Sequence, residues 1–153
     1  MTEVRRLRRS DFEAVYLLGA EMWREGLFRV VEYDRGKMFE FLTPYVEESE
    51  VNYGVVAYRG DELVGFFMGH VSEYFFGRDL IASEVLWYVA RPVRGGILGV
   101  RLLRGFEDWA RGLGVSEVSV GISTGIAQDR TGDLLGRRGY VHAGGIYKLP
   151  VVV

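Results

Sequence analysis

The chain contains no cysteine, two histidines (His70 and His142) and three prolines in 153 residues. Without thiols it forms no disulfide, no thiolate metal site and no cysteine acyl-enzyme. Two histidines do not supply a multi-histidine centre, so no metal is expected. Lysine is almost missing: Lys37 and Lys148 are the only two, and the remaining positive charge is arginine, whose planar fork suits phosphate and carboxylate. No stretch approaches the ~20 apolar residues of a membrane span, and the opening MTEVRRLRRS has no apolar signal-peptide core. A cytoplasmic location without a membrane partner is the expectation. A net charge of −2 is not the footprint of a nucleic-acid-coating protein, so no nucleic acid is expected. With 48% hydrophobic and 26% charged residues, the chain reads as one globular domain over residues 1–153.

The stretch Ser83–Gly114, SEVLWYVARPVRGGILGVRLLRGFEDWARGLG, organises the rest. Val85, Leu86, Trp87, Tyr88 and Val89 form a β-branched and aromatic run without polar alternation, as in a strand buried on both faces. Pro92 stops it, because proline cannot donate to a ladder. Leu98, Leu102, Phe106, Trp109 and Leu113 then recur at spacings of three and four, predicting a helix from about Arg94 to Gly112 that lies on a sheet. Between strand and helix, Arg94-Gly95-Gly96-Ile97-Leu98-Gly99 leaves backbone N–H groups at a helix N-terminus open to an anion. A phosphate or pyrophosphate suits that turn. No G-K-[ST] follows the glycines and no full G-x-G-x-x-G is present, which argues against a nucleotide hydrolase and a dinucleotide fold.

Elsewhere, Glu3 to Leu7 reads as a first strand, and Ser10 with Glu13 as a capping box opening a helix to about Arg24. A second helix is predicted after Asp34, shortened by Pro44. Val51 to Tyr58 and Leu63 to about Tyr74 read as a hairpin. Val115 to Ile122 reads as a short strand, Ile126 to Arg138 as a helix, and Tyr140 to Val153 as one or two terminal strands broken at Gly144-Gly145. The predicted order is β-α-α-β-β-β-α-β-α-β(β), a mixed α/β domain.

In this order, and most specifically in Pro92-Val93-Arg94-Gly95-Gly96-Ile97-Leu98-Gly99 with Leu102-Leu103, the sequence resembles the GCN5-related N-acetyltransferases (GNAT), and within them the small, phage-associated type. The turn matches the acetyl-CoA pattern (Arg/Gln)-x-x-Gly-x-(Gly/Ala), with Ile97 where the pattern has glycine. Leu134-Leu135-Gly136-Arg137-Arg138-Gly139-Tyr140 stands in the place of the family's LYxxxGF. The resemblance implies a twisted mixed sheet of six or seven strands flanked by about four helices. It also implies transfer of an acetyl group from acetyl-CoA to an amine-bearing acceptor by direct attack in a ternary complex, in a chain that forms a homodimer in many relatives. A non-catalytic acyl-CoA-binding module and transfer to a non-amine acceptor are the alternatives.

What the resemblance implies residue by residue is a cofactor site at Arg94, Gly95, Gly96, Ile97, Leu98, Gly99 and Val100, with the pantetheine along Trp87, Tyr88 and Val89. Backbone N–H groups near Tyr88 and Val89 would face the oxyanion. A neutral amine is needed for attack although an alkylammonium has a pKa near ~10, so a base is expected, and Glu84 is its place. The tyrosine that protonates the leaving thiolate in many relatives is here Leu135, so Tyr140 is the candidate acid, with Tyr147 the other substitute. Trp23, Phe28 and Tyr33 are candidates for an acceptor pocket, and Glu25, Glu32, Asp34 and Glu73 for attracting a cationic amine. His70 reads as a hydrogen-bonded or substrate-face histidine.

Overall fold

Leu63 to Met68 is the most apolar continuous run of the chain, and it forms the centre of the sheet. The computed structural model describes residues 1–122 and 124–151. It contains strands β1 (Thr2–Arg6), β2 (Asn52–Arg59), β3 (Glu62–Glu73), β4 (Leu80–Val89) and β5 (Glu117–Ser119), and helices α1 (Phe12–Glu25), α2 (Arg35–Leu42), α3 (Leu98–Gly112) and α4 (Gln128–Arg137). The sheet order is β1-β2-β3-β4-β5. The first four strands are antiparallel neighbours, and β5 joins β4 in parallel. This is a mixed α/β fold of the GNAT type.

Phe66 and Phe67 are both fully buried, so β3 is covered on both faces. Phe67 meets Phe106 of α3 at 4.8 Å between ring centroids, whereas Phe66 meets Tyr88 at 6.0 Å. Successive strand residues point to opposite faces, so α3 covers one face. Tyr88 reaches the carboxylate of Glu25, which places the end of α1 on the other. α3 buries Leu98, Leu102 and Phe106 of the stripe its spacing predicted, together with Leu103 and Ala110, while Trp109 and Leu113 at the end of that stripe are only partly buried. A Cβ at Gly69 would run into the Phe106 ring, so a glycine is required where helix and sheet approach.

Four local expectations change. The terminal strands from Tyr140 do not form: among the described residues five strands are present, and Val152 and Val153 lie outside them. Gly144-Gly145 and Pro150 disfavour extended pairing, and the three residues of β5 offer little edge. The run Val85–Trp87 is only half-buried, because β5 pairs with Ile81–Ser83 and leaves the rest of β4 uncovered. α3 starts at Leu98, later than Arg94, since Gly95 adopts φ +87 and breaks helical continuity. A short 3-10 turn, Arg9–Asp11, precedes α1 in place of the Ser10–Glu13 capping box, and the Asp11 carboxylate closes that turn by accepting the Arg8 N–H at 2.7 Å. Asp11 is also held bidentately by Arg5 and by the Tyr58 hydroxyl, which satisfies its buried carboxylate. Asp34 caps α2, and Pro44 sits in the turn Thr43–Tyr45 that follows it.

Candidate active site

Two irregularities in β4 create the site. The register steps from Met68–Leu86 to Gly69–Glu84, so Val85 is an extra residue, a bulge. Counting from Trp87 without it, Glu84 would face away from α3. With it, Glu84 pairs with Gly69 and joins the face that carries Trp87. The second irregularity is the early departure of β5, which pairs only with Ile81–Ser83. Beyond Ser83 the two strands diverge and β4 has an open edge.

That edge has a defined polarity. The Ala90 N–H donates to Val64 O at 2.8 Å, toward β3. Strand alternation therefore turns the N–H groups of Val89 and Trp87 toward the open side, and that of Tyr88 toward β3. Of the two N–H groups expected to face the oxyanion, that of Val89 points to the open side and that of Tyr88 does not, whereas the Trp87 N–H does.

The open edge is one wall of a cleft of about 330 Å³. The Arg94–Gly96 turn and the start of α3 form its end, and Gly121, Ile122, Thr124, Ile126 and Ala127 with α4 form the opposite wall. Its size falls within the range of small-molecule sites. Of the expected cofactor residues, Trp87, Tyr88, Val89, Arg94, Gly95, Gly96, Gly99 and Val100 line it. Ile97 and Leu98 do not: Ile97 is 79% exposed and projects outward, and Leu98 is buried in the core. The side chain at Ile97 thus leaves the loop's approach open. The first turn of α3 has N–H groups without intrahelical partners, and the helix dipole adds partial positive charge there. The turn therefore fits a diphosphate.

Arg94 itself is committed. Its guanidinium grips Glu25 with both terminal nitrogens, and its Nε donates to Val89 O at 2.8 Å. The Tyr88 hydroxyl donates to the same carboxylate at 2.6 Å. These donors, Arg94 foremost, hold the Glu25 carboxyl down at about 2. Glu25 was expected on a solvated, amine-attracting face, but it braces the cofactor turn against the end of α1. Its charge is neutralised there.

Glu84 sits where the strands part. The Gly121 N–H, on the diverging segment after β5, donates to its Oε1 at 3.2 Å. Among the described residues no cation is paired with it. Burial pushes its carboxyl up to about 7, and the single hydrogen bond from Gly121 only partly opposes this. A carboxyl in that range is half-ionised near neutral pH and can accept a proton.

Other candidates lie elsewhere. Tyr140 donates its hydroxyl to Glu107 at 2.8 Å, beside the Arg138–Glu107 ion pair, and is not part of the cleft wall. Tyr147 is 95% exposed. Leu135 is buried in the core, and Leu134 presents the α4 face to the cleft. Tyr33 stacks on Tyr16 and Trp23 and donates to Tyr16 O at 2.7 Å, while the Trp23 indole donates to Val31 O. Phe28 lies under the Lys148 ammonium at 4.3 Å. All three aromatics pack around the α1–α2 loop outside the cleft. His70 lies in β3 between Asn52 and Ser83.

The sequence reading passed over Arg130 and Arg137, which line the cleft from α4. The available signal was their spacing with Leu134, at i, i+4 and i+7 on one helix face.

The chain matches the acetyltransferase (GNAT) family over residues 3–140. No curated protein matches it. Among solved structures it is similar to a transcriptional regulator from Bacillus halodurans C-125, with TM-score 0.75 and 14% identity over 97% of this chain and 99% of that one. It is likewise similar to the aminoglycoside N-acetyltransferase AAC(6')-Iy in complex with CoA, with TM-score 0.75 and 12% identity over 97% and 93%. A third is the ribosomal-protein-alanine N-acetyltransferase of Brucella melitensis biovar Abortus 2308, with TM-score 0.71 and 14% identity over 97% of each chain. Identities this low carry the fold alone, but the match to the family spans nearly the whole sequence, and this chain belongs to the GNAT acetyltransferase family.

Proposed function

We infer that the protein, acting through a single domain, transfers an acetyl group from acetyl-CoA to an amine, with Glu84 as the general base. The observation that carries this is the position of Glu84: a carboxyl with no cation beside it among the described residues, pushed up to about 7, at the fork of β4 and the segment after β5, inside the cleft that begins at the glycine turn. Bound acetyl-CoA supplies an activated thioester to the cleft. Gly95 to Val100 hold its diphosphate through backbone N–H groups at the start of α3. The open edge of β4 orients the pantetheine arm, and the Val89 and Trp87 N–H groups are preset donors for the acyl oxygen. Glu84 accepts the proton from the acceptor ammonium, which makes the nitrogen nucleophilic. No side chain forms a covalent bond to the acyl group.

The acid that completes the cycle is not Tyr140, whose hydroxyl is bound to Glu107. The only tyrosine lining the cleft, among the described residues, is Tyr88, and its hydroxyl is bound to Glu25. The thiolate leaves without a tyrosine proton donor. The same observation favours a second reading, a GNAT domain that binds acyl-CoA without transferring the acyl group.

Calorimetry with acetyl-CoA followed by an amine screen for free thiol release tests both readings. Binding with turnover supports the enzyme. Tight binding with no turnover on amines or hydroxyl compounds supports the binding module, and absence of binding removes both.

A further inference from the structure

A diphosphate in the glycine turn would bring two negative charges, but the arginine of that turn is already neutralised. Arg94 is locked to Glu25 on one side and to the Val89 carbonyl on the other. Arg91 also points to Glu25, at 3.4 Å. Without α4, the helix dipole and backbone N–H groups would have to balance a diphosphate by themselves. Arg130 changes that account. It rises from the first turn of α4 on the opposite wall, lines the cleft, and brings a guanidinium nitrogen to 3.4 Å from the position a Gly95 Cβ would occupy. Among the described residues Arg130 has no ion pair and no hydrogen bond. Its charge is therefore uncompensated and directed at the turn.

We propose that Arg130 is the diphosphate-binding arginine of this protein, reaching across from α4 to close the glycine turn over the cofactor. The proposal rests on the acyl-CoA reading given above. A division of labour follows: Arg94 shapes the turn, and Arg130 supplies the charge. A planar guanidinium facing the turn can donate two parallel N–H bonds to one phosphate while the α3 amides hold the other. Gly95 supplies the φ of +87 that the turn requires, and a Cβ there would already lie in van der Waals contact with the Arg130 guanidinium. α4 thereby becomes part of the cofactor site.

Calorimetric titration of wild type, Arg130→Gln and Arg130→Lys with CoA and with dephospho-CoA tests this. The latter keeps the diphosphate and lacks the 3′-phosphate. Arg130 is exposed, so all three proteins should melt together. Arg130→Gln is expected to weaken both ligands by the same factor, about 10- to 100-fold, with part of the loss recovered in Arg130→Lys, which keeps charge without the fork. An affinity within about twofold of wild type overturns the proposal. So does a loss confined to CoA, because Arg130 then serves the 3′-phosphate. Wild type that binds neither ligand removes the acyl-CoA reading itself, a result distinct from wild type and variant binding equally well.

Discussion

Glu84 and Glu107 are two carboxylates beside the same sheet, and their surroundings drive them in opposite directions. Glu107 is almost fully buried on α3, yet the Arg138 guanidinium and the Tyr140 hydroxyl hold its carboxyl below the ordinary range in spite of burial. Glu84 is also withdrawn from solvent but has a single backbone donor, and burial wins. Glu107 ties α3 to the residue after α4 and to Tyr140. It is fully saturated with partners and has no capacity left for chemistry. Glu84 is under-satisfied at an open strand edge. Burial alone does not distinguish a reactive carboxylate from a structural one, but the number and charge of its donors do.

The comparison can be broken first at Glu84. Glu84→Gln keeps shape and hydrogen bonding but cannot take a proton. Turnover on a verified acceptor should fall by about 10²–10⁴-fold, with CoA affinity in calorimetry unchanged. In wild type the acidic limb of the pH–rate profile should bend near 7, where Glu84 titrates, and that limb should vanish in the variant. Full turnover with an unaltered profile would remove Glu84 as the base.

Removing the α3 contacts comes next, and here the effect is on stability. Phe106 is fully buried against Phe67, Tyr53 and Trp109. Phe106→Ala should cost about 3–5 kcal/mol in denaturant unfolding. A loss below about 1 kcal/mol would mean that the helix is not packed as described.

These two residues also mark what could be read from the sequence. Phe106 belongs to a regular apolar stripe, which states its own face, so α3 and its packing were legible. The glycine turn and Glu84 were legible through the family pattern. Three parts of the site were not. The bulge at Val85 reverses the face of Glu84, but it is defined only by pairing with Met68 and Gly69, far off in sequence. Arg94 looked like a phosphate ligand because its partner, Glu25, is 69 residues away. Arg130 sits in QDRTGDLLGR, a helix so polar that its cleft-facing side carries little hydrophobic signal. Tyr140 to Val151 is apolar enough to read as terminal strands, but strand formation also needs an edge to pair with.

A smaller effect follows from linkage. The folded protein holds Glu84 at about 7, above its usual value of 4.5, so the fold binds a proton that the unfolded chain has released. That favours folding at low pH, and the advantage is lost as pH rises from about 4.5 through 7. Glu84→Gln removes the burial of a charge above that window. It should therefore stabilise the protein by roughly 1–3 kcal/mol at pH 8 relative to its effect at pH 4, where wild type is already neutral. Thermal melts at the two pH values check this. Glu107→Gln should show the reverse sign, since that carboxyl is held low and its stabilisation is present above the unfolded value.

The smallest change expected is at Tyr140, and it separates the two regions most cleanly. If Tyr140 were the acid, Tyr140→Phe would lower turnover and alter the alkaline limb of the profile. Its hydroxyl instead donates to Glu107, and burial followed by that carboxylate keeps the phenol well above its ordinary range. A phenol so placed gives up its proton reluctantly and faces away from the cleft wall. Tyr140→Phe should leave kcat within about twofold, because nothing in the reaction path touches it. Stability should fall by about 1–2 kcal/mol, since Glu107 loses one of its donors while Arg138 remains. A large loss of kcat at unchanged stability would move the acid back to Tyr140 and make the α3–α4 tie part of the chemistry.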